Sequence, residues 1–288
     1  MPLKKFSLPG FNLKAQWMMD FLRYRSRHPQ YFYPDRIIDS SYDANYQLIW
    51  SGGREPLEVI PHYHIHGLLK DYRDNFPYLQ LRFVFTNRLI TEELTHDYLC
   101  NRFVQDCVTP KDKVILNSPA LIQYFMETYP DIDFIFSTTL EVKDLRLVNK
   151  LSEYHIYVLN YQCNLDDEYI KTLEHKENIE ILVGEPCFEH CTHRNDHQTR
   201  ISEMYLGHDV SLYHCPYGDK KFLTSDVMSR ETFVSNDRVD ELAEMGIQYF
   251  KISGRAIAVP AWLYIMTYYL VLPEYRDLVR EELLVEWW

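Results

Sequence analysis

The feature that most constrains the fold is an alternation of short apolar segments with longer amphipathic ones. The short segments contain four to six residues and are rich in β-branched and aromatic side chains, a composition typical of buried strands. Eight of them occur along the chain, at 36–39, 81–85, 113–116, 133–136, 156–159, 179–183, 210–215 and 248–252. The seventh strand could instead lie near residue 222.

The segments between these strands indicate helices. Residues 121–129, 167–176 and 237–246 carry apolar side chains at helical spacing. Alternating strands and helices favour βα units around a parallel sheet. No Gly-rich phosphate turn follows the first strand, which argues against an open doubly wound sheet. The sequence therefore predicts an α/β protein with a (β/α)8 TIM-like barrel, complete or distorted.

The same patterns suggest how the chain is divided. Residues 1–34 contain a predicted helix over 13–24 followed by a proline-flanked aromatic loop, and we interpret them as an N-terminal helical extension. Residues 35–288 are expected to form a single barrel domain. Within it, the helix predicted over 260–272 is apolar on most faces and should be buried against the barrel.

Composition excludes several classes of protein. The hydrophobic fraction of 46% is sufficient for a full core, which rules out a disordered chain. The net charge of −12 argues against binding bulk nucleic acid, and no apolar run is long enough to cross a membrane. The first residues lack the apolar stretch of a secretory signal, and six cysteines are too few for a disulfide scaffold. We therefore expect a cytoplasmic protein.

Polar residues follow the predicted strands directly, at positions that line the active face of a barrel. On this ground Asn87, Asn117 and Thr138 are candidate substrate-binding residues. Arg54 is another, because the two glycines before it permit a close backbone approach and its guanidinium could reach an anion. An ordinary turn followed by a solvated arginine is an equally good interpretation of that motif.

The last predicted strand carries two candidate catalytic residues, Lys251 and Arg255. Lys251 lies between Phe250 and Ile252, so its side chain points into the barrel if those two face the helices. A lysine in that position needs an anionic partner or substrate. Arg255 suits a planar anion such as a carboxylate.

The segment 184–200 is the part of the chain richest in metal-ligating residues. Cys187 and Cys191 have a Cys-x3-Cys spacing, and Cys215 follows after 23 residues. Thiolates bind zinc or iron–sulfur clusters, so these three are candidate metal ligands. Glu185 is a candidate catalytic residue for proton transfer, and Arg194 a candidate for substrate binding. Three unrelated buried thiols, or a zinc site completed by a histidine, are the alternatives.

Several of these segments together resemble the collagenase-like peptidase family, U32. FKISGR (250–255), followed by PEYRDLVR (273–280), is similar to a strand end and a downstream Tyr-Arg pair of that family. IEILVGEPCFEHC (179–191) resembles its apolar strand that ends in an acidic residue and a cysteine. ILNSPALIQYF (115–125) and IFSTT (135–139) resemble the ends of its third and fourth strands. The resemblance covers roughly residues 80–280.

The resemblance implies a barrel that carries a [4Fe–4S] cluster on cysteine ligands. It also implies relatives that act in oxygen-independent hydroxylation of ubiquinone precursors and RNA. The chain departs from the family in two respects: only Cys187, Cys191 and Cys215 of four cluster cysteines carry over, and Ser253 replaces a glutamate in the Lys-Ile-Glu-Gly-Arg motif.

Three functions follow as hypotheses. The first is an iron–sulfur enzyme that acts on a small anionic molecule or a peptide, by oxygen-independent hydroxylation or related redox chemistry. The second is a zinc-stabilised accessory or binding protein without catalysis, and the third is a peptidase. Both metal hypotheses predict that the sulfurs of Cys187, Cys191 and Cys215 converge at the C-terminal mouth of the barrel. The sequence does not indicate an oligomeric state.

Overall fold

The computed structural model describes residues 2–56, 62–211, 213 and 224–285. In this part of the chain, eight parallel strands form a closed barrel in sequential order. The strands are β1 Lys4–Pro9, β2 Arg36–Asp43, β3 Gln80–Phe85, β4 Lys113–Leu116, β5 Asp133–Phe136, β6 Tyr157–Val158, β7 Ile179–Val183 and β8 Tyr249–Ile252. The α-helices are α1 Ala15–Arg27, α2 His62–Asn75, α3 Tyr98–Cys107, α4 Pro119–Thr128, α5 Leu145–Ser152, α6 Asp167–Thr172, α7 Arg194–Tyr205, α8 Thr224–Met228, α9 Asn236–Glu244, α10 Val259–Leu270 and α11 Arg276–Val285.

The predicted fold class is confirmed. The strands form a closed parallel barrel, and helices lie between them along the chain. Seven of the eight predicted strands coincide with observed ones, and the helix predicted over 13–24 is observed as α1.

β1 is the strand that the sequence analysis did not predict. It lies within the segment interpreted as a helical extension, and it pairs with β2 on one side and β8 on the other. Phe6 and Leu8 are fully buried in it. At its start, Lys4 is also buried, because Asp35 forms an ion pair with it at 2.5 Å. The two lysines at its start interrupt the apolar pattern, so a search for apolar runs did not identify this strand.

The strand predicted over 210–215 is not observed between β7 and β8, and residues 212, 214 and 215 of that segment lie outside the described residues. β7 pairs directly with β8 over four residue pairs, so no strand lies between them. The described residues of this segment have no regular secondary structure, and the Tyr213 ring stacks on His197 of α7, with 4.9 Å between the ring centroids. The segment therefore has the composition of a strand, although its Tyr213 side chain packs on a helix. The alternative position near residue 222 lies outside the described residues.

The strands separate two apolar cores, because alternate side chains point to opposite faces. Phe250 and Ile252 of β8 belong to the larger core, which lies between the barrel and its helices. Tyr42, Val84 and other side chains form a second core inside the barrel. Lys251 therefore points into the barrel, as its place between two apolar residues predicts.

The predicted C-terminal helix is observed as α10. Seven of its side chains are buried, and the Trp262 indole N–H donates to the Pro9 carbonyl at 2.9 Å. Its contact with the end of β1 explains why it is apolar on most faces. None of the described helices combines the length and the hydropathy needed to cross a membrane.

Candidate active site

A cavity opens at the C-terminal ends of the barrel strands, where barrel enzymes carry their active sites. Its volume is ≈ 70 Å³, several times the roughly 10–15 Å³ that one water molecule requires. Its walls combine side chains from six strands or strand ends with the loop after β2. The lining residues are Tyr42, Gly53, Arg54, Val84, Thr86, Ile115, Ser137, Thr138, Thr139, Leu182, Glu185, Arg194, Gln198, Lys251, Ser253, Gly254 and Arg255.

Six residues proposed from the sequence line this one cavity. They are Arg54, Thr138, Glu185, Arg194, Lys251 and Arg255. The structure thus brings together side chains that are separated by up to about two hundred residues, because parallel strands end on the same rim of a barrel.

Lys251 is buried inside the cavity. Its Nζ atom lies 4.1 Å from the centroid of the Tyr42 ring, and it has no hydrogen bond to any described residue. Burial is the main cause that lowers the pKa of Lys251 to about 7; Glu180 opposes this shift, and Arg82 and Arg255 contribute to it. A substantial fraction of the side chain is therefore a neutral amine near neutral pH.

Arg255 is held from several sides. Its Nη2 donates to the Gly52 carbonyl at 3.1 Å, and its Nη1 lies 3.8 Å from a carboxylate oxygen of Asp43. The Lys14 ammonium donates to the Arg255 carbonyl, which fixes the backbone of the loop. Nη1 itself has no hydrogen-bond partner within the described residues. The guanidinium is thus oriented but keeps one donor direction for a ligand.

Asp43 holds several neighbouring groups in place near Arg255, and the sequence analysis did not identify it. Its carboxylate accepts hydrogen bonds from the backbone N–H groups of Asn12 and Leu13, at 3.1 and 2.8 Å. It also accepts from the Ala44 N–H and the Tyr46 hydroxyl, both at 2.8 Å. Because β2 continues to Asp43 instead of ending near residue 39, the predicted strand end fell short of both Tyr42 and Asp43.

The glycines before Arg54 are required by close packing. A Cβ atom on Gly52 would lie 2.7 Å from the Thr86 carbonyl carbon, and Gly53 has a φ of +75°. Among the described residues, Arg54 forms no ion pair, and the buried Thr86 Oγ1 has no hydrogen-bond partner. The turn therefore places an uncompensated guanidinium and an unpartnered hydroxyl on the same cavity.

Glu185 and Arg194 form an ion pair on the opposite wall. Glu185 Oε1 accepts from the Cys187 N–H at 3.0 Å and lies 3.4 Å from Arg194 Nη1. Arg194 Nε also donates to Glu141 at 2.7 Å, and the guanidinium stacks on Tyr161. Although burial opposes it, Arg194 and Arg54 lower the pKa of Glu185. Glu185 is thus better suited to holding Arg194 than to moving protons.

The two asparagines predicted to bind substrate are placed differently from the rest. Asn87 is fully buried, and its amide nitrogen donates to the carbonyls of Ile49 and Ser202, at 2.6 and 3.2 Å. It therefore joins the loop after β2 to α7 and does not line the cavity. Asn117 is also absent from the lining, although its buried Nδ2 has no partner in the described part of the chain. Thr138 lines the cavity and donates to the Leu159 carbonyl at 3.0 Å.

The expected metal centre is described only in part. Cys187 and Cys191 lie after β7, but Cys215 lies outside the described residues. The described residues contain no group of three or more His, Cys, Asp or Glu side chains arranged to hold a metal. Two cysteines are an incomplete ligand set for the [4Fe–4S] cluster or for zinc. Convergence of the three sulfurs stays a prediction, and no chemical step is derived through a cluster.

Comparisons with known proteins do not add an assignment. No model of a protein family matches the sequence, and no curated protein matches it. Membership of the collagenase-like peptidase family therefore stays a prediction.

Proposed function

We propose that this chain is an enzyme that acts on a small carboxylate at the mouth of the barrel. In this proposal Arg255 and Arg54 bind the anion, and Lys251 supplies the reacting amine. The observation that supports it is the convergence of these three side chains on one cavity, with donors left unpartnered there.

The balance of charge in the cavity favours an anionic ligand. Four cationic side chains line it, at Arg54, Arg194, Lys251 and Arg255, against the single carboxylate of Glu185. Glu185 and Glu141 already neutralise Arg194. Asp43 Oδ1 lies 3.8 Å from Arg255 Nη1 and offsets part of its charge. Arg54 forms no ion pair among the described residues, so its charge is available to a ligand.

The unpartnered donors favour a carboxylate. Arg255 Nη1 and Thr86 Oγ1 are buried without hydrogen-bond partners among the described residues, a state that costs free energy until a ligand supplies acceptors. A carboxylate offers two acceptor oxygens in the plane that a guanidinium recognises. The size of the cavity, ≈ 70 Å³, suits a molecule of few heavy atoms.

The proposal is tested with lactate, a small carboxylate without a reactive carbonyl, and with lactamide, its uncharged amide. We expect titration calorimetry to detect binding of lactate and not of lactamide. Arg54→Gln should weaken lactate binding, because it removes a cation from the rim of the cavity. Arg102→Gln is the matched control, since Arg102 is exposed and paired with Asp106 on α3.

Equal binding of the acid and the amide would show that charge does not govern recognition here. Lactate binding that is unchanged in Arg54→Gln and also in Arg255→Lys would move the anion site elsewhere. Either result contradicts the proposal. Circular dichroism of each variant separates lost binding from lost folding.

A cluster-dependent enzyme is a second candidate, and the position of Cys187 favours it. The Cys187 N–H donates to Glu185, which lines the cavity, so a metal held by this thiolate would border the same site. Anaerobic purification followed by iron and zinc determination tests it. Iron that is lost in Cys187→Ser supports the iron–sulfur hypothesis, zinc supports the accessory-protein hypothesis, and a metal-free protein contradicts both.

A further inference from the structure

We propose that Lys251 forms an iminium bond with a 2-oxo acid, so that 2-oxo acids are the substrate class of this cavity. The inference rests on the carboxylate-binding function proposed above and adds a covalent step to it. Three features of the cavity support this inference: the position of the Lys251 amine, the absence of an ion pair to that amine, and the anion-binding groups that line the same cavity.

The amine and the principal anion-binding group both lie close to one aromatic ring of the cavity. Lys251 Nζ lies 4.1 Å from the centroid of the Tyr42 ring, and the Arg255 guanidinium carbon lies 5.8 Å from the same centroid. A 2-oxo acid carries its carboxylate and its carbonyl on adjacent carbons. Because Lys251 and Arg255 line the same small cavity, we infer that a carboxylate bound by Arg255 brings the neighbouring carbonyl carbon within reach of the amine.

No described residue provides a dedicated counter-ion for Lys251. The carboxylate of Glu180 raises the pKa of Lys251 but forms no ion pair with it, because its Oε1 is bound to Arg82 at 2.5 Å. Arg82 also contacts Asp39 at 3.1 Å, so one guanidinium holds both carboxylates and neither of them forms an ion pair with the lysine. A buried amine near other cations loses its proton readily, and a neutral lysine amine is the form that attacks carbonyl groups. The lowered pKa of Lys251, about 7, agrees with this geometry.

The reaction balances without an added oxidant or reductant. The Nζ lone pair attacks the carbonyl carbon, a C–N bond forms, and the carbonyl π electrons become a lone pair on oxygen. Proton transfer from nitrogen to oxygen gives a carbinolamine. A further proton from solvent allows that oxygen to leave as water, and the C=N bond of the iminium forms. The hydroxyl of Thr86, which is buried without a partner among the described residues, is placed to hydrogen-bond the reacting oxygen.

Lys14 shows what distinguishes Lys251. It is also buried, and burial lowers its pKa to about 8. Its ammonium, however, donates to the Arg255 carbonyl, and it does not line the cavity. A lysine in that hydrogen bond is not available to a substrate. The proposal therefore requires that modification is selective for Lys251 over Lys14.

The experiment is reductive trapping of the full chain. The protein is incubated with pyruvate and sodium cyanoborohydride, and its intact mass is measured. We expect one added group per chain, with the mass of one pyruvic acid molecule less one oxygen atom, and peptide mapping should place it on Lys251. The extent of trapping should rise between pH 6 and pH 8, because about half of the amine is neutral near pH 7. The charged groups that act on this amine are Glu180, Arg82 and Arg255.

Variants and probes separate the proposal from non-specific reaction. Lys251→Arg keeps the cation but cannot form the iminium, so trapping should be lost while lactate still binds. Lys150→Arg changes an exposed lysine of α5 and should leave trapping unchanged. Acetone, which lacks the carboxylate, should be trapped at least tenfold less than pyruvate, and lactate should compete with pyruvate.

Two results overturn the inference. One is lactate binding without trapping of pyruvate, which leaves the carboxylate site standing and removes the covalent step. The other is trapping spread over several lysines or equal for acetone and pyruvate, which shows ordinary surface chemistry. If lactate and pyruvate both fail to bind, the proposed function fails together with the inference.

Discussion

The N-terminal half of the barrel interior and its C-terminal mouth both contain several charged side chains, but these are paired in the first region and largely unpaired in the second. In the N-terminal half, Arg82 and Glu180 form a fully buried ion pair at 2.5 Å. At the mouth, Lys251 and Arg54 form no ion pair with any described residue, and Arg255 Nη1 keeps a free donor direction.

The difference distinguishes charged groups that stabilise the fold by pairing with each other from charged groups that are available to bind a ligand. A buried ion pair compensates much of the desolvation of its members, so it fits a region that only has to hold the barrel together. Unpaired buried donors cost stability, and proteins retain them where a ligand completes the network. The mouth is therefore the less stable and the more reactive end of the same interior.

Removing one member of the buried pair should have the largest effect on stability. Arg82→Met leaves the Glu180 carboxylate buried beside an apolar side chain, which should cost about 3–5 kcal/mol in the free energy of unfolding. Urea denaturation measures the loss. The double variant Arg82→Met/Glu180→Met removes both charges and should recover most of it. A single variant as stable as the wild type would show that the pair is not structural.

Lys251→Met should have the opposite effect and increase the free energy of unfolding. The variant replaces a poorly compensated amine by an apolar side chain, and it should be more stable than the wild type by a few kcal/mol at pH 6. The folded pKa of Lys251, about 7, lies below the ordinary value of 10.5. The unfolded chain therefore binds more protons between these values, and wild-type stability rises with pH across that window.

Thermal unfolding at pH 6, 8 and 9.5 checks this prediction. The advantage of the variant should be greatest at pH 6 and should shrink as the pH rises. An advantage that is constant with pH would mean that the lysine is equally protonated in the folded and unfolded chains.

Arg255→Lys tests the geometry of anion recognition. Lysine keeps the charge but lacks the planar fork that binds a carboxylate through two hydrogen bonds. Loss of a hydrogen bond to a charged group should weaken lactate binding about 10- to 100-fold. Titration calorimetry measures the change, with Arg102→Gln as the control. Wild-type affinity in Arg255→Lys would show that charge alone suffices.

Gly53→Ala should have the smallest effect. An alanine at a φ of +75° should cost about 1–2 kcal/mol, and its Cβ would lie 3.1 Å from Arg255 Nη2 and 3.3 Å from Thr86 Oγ1. Gly207→Ala is the matched control, because Gly207 has a φ of +77° and no atom within 4 Å of its Cβ position. Both should lower the melting temperature similarly, while only Gly53→Ala should weaken lactate binding. Equal binding losses would show that the Gly53 turn does not shape the site.

A large part of the site was predictable because it depends on local patterns. The places where strands end follow from runs of apolar residues, and the polar residues after them include Thr138, Glu185 and Arg255. The inward direction of Lys251 follows from its two apolar neighbours. The candidate role of Arg54 was inferred from the two glycines that precede it. The roles of individual side chains did not follow, since neither the pairing of Glu185 with Arg194 nor the structural use of Asn87 leaves a local signal.

The sequence by itself determined the class of fold, because strand and helix periodicity are local properties and alternate regularly along this chain. Only the tertiary structure decided which segments close the barrel. β1 is a strand because Asp35 neutralises the lysine at its start and because β2 and β8 provide its hydrogen-bond partners. The segment 210–215 has the composition of a strand, but β8 already occupies the edge of β7. Pairing is a property of two strands at once, and a pattern within one segment does not contain it.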